Sequence, residues 1–111
     1  MRYDLQFQNL AYDPELEKRT NLRLVEILAI APPEAIAKAQ IRKEGRTFVA
    51  STTVESGFRT FQQSALGPSA REAIMNALRR LEEQVYRWRY GRGPGSTSLQ
   101  PGLRKPAAVS A

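Results

Sequence analysis

The chain has 111 residues, enough for one modest core, and its 41% hydrophobic and 25% charged residues are those of an ordinary globular protein, not a disordered one. It lacks cysteine, which excludes disulfides and zinc–thiolate sites, and it lacks histidine, the usual general base and commonest metal ligand. The net charge is +6, carried mostly by arginine, a residue that forks onto phosphate and stacks on bases.

Tyr3 to Gln8 alternates and is followed by Asn9, the pattern of a short strand. Asp13-Pro14 predicts a helix start, with Asp13 capping free amides and Pro14 suited to the first helical position. Leu16, Thr20, Leu24, Ile27 and Ala31 then recur at helical spacing, and Pro32-Pro33 stops the helix. Ala37, Ala39 and Ile41 alternate with Lys38, Gln40 and Arg42, a half-buried strand. Glu44-Gly45-Arg46 reads as a turn, and Thr47 to Glu55 as a strand rich in β-branched residues. After a second turn at Ser56-Gly57, Phe58 to Ala65 reads as the next strand, so three strands follow one another as an antiparallel meander.

Gly67-Pro68 breaks the chain again. Ser69-Ala70-Arg71-Glu72 has the form of a capping box, with serine and glutamate each bonding the other's backbone amide. Ile74, Leu78, Leu81, Val85 and Trp88 then form one apolar stripe, which makes Trp88 a core anchor and not a base-stacking residue. This helix is expected to end near Tyr90, before Gly91, Gly93 and Pro94. The order is β-α-β-β-β-α. The simplest way to cover two amphipathic helices is to lay both on one face of a four-stranded sheet, an α+β two-layer sandwich over residues 1–90. Residues 91–111, made of Gly, Pro, Ser, Ala and a few basic residues, have too little apolar surface to fold alone and are expected to form a flexible basic tail.

The charge is unevenly placed. Residues 1–83 hold 12 basic and 11 acidic side chains, whereas residues 84–111 hold Arg87, Arg89, Arg92, Arg104 and Lys105 and no acid. The second helix shows Arg79, Arg80, Arg87, Tyr86 and Glu83 away from its apolar stripe, and Arg79 and Glu83, four apart, are expected to pair. The acid-free continuation through Arg89 and Arg92 favours an RNA partner over a merely solvated face. The first helix exposes Lys18, Arg19 and Glu26, with Arg23 at the edge of its apolar stripe. That mixed face fits ordinary solubility as well as phosphate contact.

Little supports catalysis. Glu82 and Glu83 are adjacent, so they point about 100° apart on a helix and cannot form a carboxylate dyad. Ser51, Thr52 and Thr53 have no histidine to activate them, and no phosphate-loop motif occurs. No metal site or cofactor is expected. No apolar run approaches the ~20 residues that span a bilayer, and the N-terminus does not read as a signal peptide, so a soluble cytoplasmic protein is expected.

The order of elements and the second helix resemble the ribosome hibernation-promoting factors, also called ribosome-associated inhibitors or sigma-54 modulation proteins. The family's last helix has the form A-I-x-x-x-(hydrophobic)-x-K-L-E-R-Q-L-x-K, and Ala73 to Arg87 reads AIMNALRRLEEQVYR. Phe48-Val49-Ala50 and Pro14-Glu15-Leu16 are also similar to family segments, and the resemblance covers about residues 2–90. It implies a non-enzymatic factor of starved or stationary cells that binds the small ribosomal subunit through ribosomal RNA, where messenger and transfer RNA would sit. By position, Arg80 and Arg87 match the family's basic sites, Arg79 lies beside them, and Arg23 matches a basic site of the first helix. With Lys18, Arg19, Arg89 and Arg92 these are the candidate RNA-binding residues.

The sequence also departs from the family. Glu83 stands where arginine is usual, Glu17, Glu26 and Ala29 replace commonly basic positions, and Ser69-Ala70-Arg71 replaces D-M-Y. The long form of the family adds a dimer-forming domain, for which 21 residues after Tyr90 are too few. A short, monomeric form with no small-molecule substrate and no membrane partner is therefore expected. Two other readings remain: a protein-interaction or regulatory module that kept the fold and lost ribosome binding, and a general RNA-binding domain.

Overall fold

The structure is a computed structural model that describes residues 2–91. The elements run β1 (Tyr3–Gln8), α1 (Pro14–Ile30), β2 (Ile36–Glu44), β3 (Thr47–Glu55), β4 (Thr60–Gly67) and α2 (Ala70–Tyr90). The four strands lie in the order β1-β2-β3-β4. β1 runs parallel to β2, with Tyr3 opposite Ala37, because α1 carries the chain back across the sheet. β2, β3 and β4 form the antiparallel meander. This is the α+β two-layer arrangement expected from the sequence.

Local chemistry explains the boundaries. The Asp13 carboxylate accepts from the amides of Glu15 and Leu16 at 3.1 Å and starts α1. Gly45 opens the two-residue loop between β2 and β3 with a φ of 62°, the positive value that such a hairpin requires at its first central position. Gly91 ends α2, also with positive φ.

Four expectations shift. Ala31 is buried as predicted, but it lies beyond the last helical residue as an extended cap. β4 begins at Thr60 and not at Phe58. The Ser56 hydroxyl accepts from the amides of Phe58 and Arg59 and donates to the Arg59 carbonyl, closing a loop over residues 56–59 and leaving Phe58 76% exposed. β4 also runs on to Gly67, where a Cβ would lie 2.7 Å from the Ala73 backbone nitrogen. Gly67 is thus the residue on which the first turn of α2 sits. The capping box forms only in half: the Ser69 hydroxyl accepts from the Glu72 amide at 3.2 Å, with no return bond from the glutamate.

The core lies between the sheet and both helices. Leu5, Ala37, Ala39, Ile41, Ala50, Val54, Phe61 and Ala65 supply the sheet side. Leu16, Leu24 and Ile27 come from α1, and Ile74, Leu78, Leu81 and Val85 from α2. Four of these sheet positions are alanine, which lets the helices approach closely. α2 packs mainly over β3 and β4, α1 chiefly over β1, and the helices touch each other. Trp88 is half-buried, its ring edge-on to Phe61 at 5.9 Å, so it is a packing anchor as expected.

Candidate nucleic-acid interface

An α-helix turns about 100° per residue, so the core stripe of α2 fixes where its polar side chains go. Arg80, Gln84 and Arg87 fall on the flank that borders β4. The Gln84 amide oxygen accepts from Gln63 of β4 at 3.0 Å, and Arg80 Nη1 donates to the Ser64 carbonyl of β4 at 2.9 Å. Arg80 is therefore held at the free edge of the sheet, with most of its five donor hydrogens still unspent. Arg87 lies about 10 Å further along the same flank, at 1.5 Å of rise per residue. Arg79 occupies the outermost stripe.

The expected pair between Arg79 and Glu83 does not form. Arg79 Nη2 instead donates to the Asn76 side-chain oxygen at 3.3 Å. The order of the two residues is the less favourable one for a helical pair, with the acid on the C-terminal side, and Asn76 takes the guanidinium instead. Among the described residues, none of the five arginines of α2 (Arg71, Arg79, Arg80, Arg87 and Arg89) makes an ion pair.

The cations of α1 behave differently. Arg19 pairs with Glu15 at 3.6 Å, here with the acid on the favourable side. Arg23 is half-buried between two carboxylates, Glu26 on its own helix at 3.4 Å and Glu82 of α2 at 2.5 Å. Its guanidinium thus clamps the helices together, and its charge is matched in place. Lys18 is exposed and makes no ion pair among the described residues. The acids of α1 also have local tasks: Glu17 accepts from the Tyr12 hydroxyl, which holds that hydroxyl above its ordinary pKa.

The candidates therefore do not form one patch. Arg79, Arg80 and Arg87 share the outer and β4-facing sides of α2. Arg89 projects roughly 160° around the axis from Arg87, on the side of Glu82 and α1. Arg92 lies outside the described residues, as does the tail. Other cations are dispersed or engaged: Lys38 pairs with Glu55 at 3.7 Å and Arg42 with Glu44 at 2.5 Å.

Two features escaped the sequence reading. One is the Arg23–Glu82 clamp, which joins residues 59 positions apart and leaves no trace in local spacing. The other is the outer side of α1, where Leu22 and Val25 are 58% and 46% exposed. Their spacing with Lys18 and Ala29 (four, three, four) did mark a second stripe. The buried stripe through Leu16 and Leu24 masked it.

No family profile and no curated protein matches the chain. Solved structures do. The N-terminal domain of Thermus thermophilus Protein Y superposes with a TM-score of 0.68 at 23% identity, over 78% of this chain and 96% of that one. A ribosomal subunit interface protein from Coxiella burnetii gives a TM-score of 0.63 at 12% identity, over 79% of this chain and 98% of that one. The chain has their fold.

Proposed function

We propose that this chain is a non-enzymatic ribosome-associated factor that binds the small subunit through ribosomal RNA and blocks the messenger and transfer RNA sites. One observation carries the proposal: α2 presents its arginines with no carboxylate partner among the described residues. Unmatched guanidinium groups on a rigid helix are what a phosphate backbone recognises. The folds shared with Protein Y and with a ribosomal subunit interface protein support the ribosome as the source of that RNA. On this reading Arg79, Arg80 and Arg87 form the main contact surface, Lys18, Arg89 and Arg92 add outlying contacts, and Arg19 and Arg23 contribute little while paired. The protein acts as a cytoplasmic monomer in idle or stressed cells, without a cofactor.

The test is co-sedimentation of the purified chain with small subunits and intact ribosomes at low and moderate salt. Saturable binding to small subunits that falls as salt rises is expected. A second reading, a protein-interaction module of the same fold, draws on the exposed Leu22 and Val25 beside matched charges on α1. Absence of binding at low salt would reject the ribosome and favour that module.

A further inference from the structure

The outermost stripe of α2 continues from Arg79 and Glu83 into two aromatic residues, Tyr86 and Tyr90, one turn apart. They are 43% and 54% exposed, their ring centroids lie 4.6 Å apart, and the planes are tilted by 47°. Neither hydroxyl makes a hydrogen bond among the described residues. Each ring therefore leans on the other and turns apolar area to solvent. The core does not use them: the aromatic anchor of this helix end is Trp88, on the opposite side. Arg87 and Arg89 flank the pair; Glu82 and Glu83 precede it by one turn, Glu82 being held by Arg23, and no acid lies between Glu83 and Gly91.

We infer that Tyr86 and Tyr90 form a stacking platform for an unpaired nucleobase of RNA. Aromatic rings beside unmatched cations are the combination that holds single strands: the cations take the phosphates and the rings take the bases, with little regard to sequence. Duplex RNA hides its base faces and gains nothing from the rings. The flanking charge favours RNA over an apolar protein partner, because two guanidinium groups would have to be desolvated to bury the tyrosines against an apolar surface. The inference rests on α2 being the RNA-binding helix, and it extends that reading from phosphate contacts to bases.

Fluorescence anisotropy with a labelled 12-nucleotide oligoadenylate and a 12-base-pair RNA duplex separates the two. The double variant Tyr86→Ala/Tyr90→Ala is expected to bind the single strand at least about 10-fold more weakly, the loss that unstacking one base entails. Its affinity for duplex and its dependence on salt should stay as they were, since no phosphate contact is lost. Tyr86→Phe/Tyr90→Phe keeps the rings and should bind as the parent does. Arg80→Ala/Arg87→Ala should instead weaken both RNAs and flatten the salt dependence. Both tyrosines are exposed, so unchanged thermal unfolding should show that the variants fold. Equal single-strand affinity for the parent and the alanine variant would overturn the platform while leaving the arginine reading intact. Loss in the phenylalanine variant would also overturn it, because the hydroxyls and not the rings would then make the contact. A parent chain that binds neither RNA overturns platform and phosphate surface together. Single-strand binding that depends on the rings, in a chain that ignores small subunits, supports the platform and rejects the ribosome.

Discussion

The two helices carry the same number of acids, three each, yet they present different surfaces. On α1, Glu15 precedes Arg19 by one turn and Glu26 follows Arg23, so both arginines are matched where they stand and Lys18 alone stays unpaired among the described residues. On α2, five arginines share the helix with Glu72, Glu82 and Glu83. Glu82 is turned toward α1 by Arg23, and Glu83 lies on the unfavourable side of Arg79. Counting charges along the sequence makes both helices mixed. Pairing them in space leaves one helix largely neutral with an apolar outer stripe and the other cationic with an aromatic one. Partner chemistry is set by which charges remain unmatched, not by how many there are.

The comparison breaks most directly if the cations of the two helices are exchanged for alanine in turn. Arg79→Ala/Arg80→Ala/Arg87→Ala is expected to weaken binding to small subunits by on the order of 100-fold at moderate salt and to lower the slope of log K against log salt by about one per contact removed. Lys18→Ala/Arg19→Ala should change affinity by no more than about 3-fold, because Arg19 is already screened by Glu15. Equal losses from the two sets, measured by salt-titrated co-sedimentation, would end the distinction.

A second break acts through packing. Gly67→Ala drives a Cβ to 2.7 Å from the backbone of α2, where no flexible side chain can give way. It should destabilise the fold by about 1–3 kcal/mol and shift the first turn of α2. Thr20→Val, on α1, should act in the other direction. The buried Thr20 hydroxyl has no partner among the described residues, so replacing it with a methyl group should stabilise by about 1 kcal/mol and leave RNA binding unchanged. Thermal and urea unfolding of the two variants check both.

Much of this was legible in the sequence. The element order, the starts of both helices and the core stripe ending in Trp88 follow from caps, prolines and periodicity, all of which are local. The start of β4 was not, because three hydrogen bonds at the Ser56 hydroxyl outweigh the strand propensity of Phe58. The extension of β4 to Gly67 was hidden for a related reason: a glycine before proline reads as a break, whereas its missing side chain makes room for a helix. The candidate site was legible as a list of arginines but not as a surface. Whether Arg23 or Arg80 is available depends on Glu82 and on the Ser64 carbonyl, neither of which lies near its partner in sequence.

Glu83→Arg sharpens the comparison from the opposite side. Position 83 lies on the outer stripe of α2 between Arg79 and the tyrosine pair, and it is where the family that the chain resembles usually has arginine. The exchange removes an acid and adds a cation on an exposed turn, so it should raise affinity for small subunits several-fold and steepen the salt slope by about one. An unchanged slope would mean that this stripe does not face phosphate.

The smallest expected effect is the most discriminating. Glu82→Gln removes the carboxylate that holds Arg23 from across the helix interface. Both side chains are about one-third exposed, so the loss in stability should stay within about 1 kcal/mol. Two consequences then compete. If the clamp only braces α1 against α2, RNA affinity stays constant while the unfolding midpoint falls slightly. If Glu82 also withholds Arg23 from RNA, affinity rises about 2- to 3-fold and the salt slope steepens, since Glu26, more exposed and at 3.4 Å, screens the freed guanidinium only in part. Charge matching in place predicts the second outcome. Adding Arg23→Ala to Glu82→Gln should then abolish the gain, whereas Arg23→Ala alone should leave affinity near that of the parent.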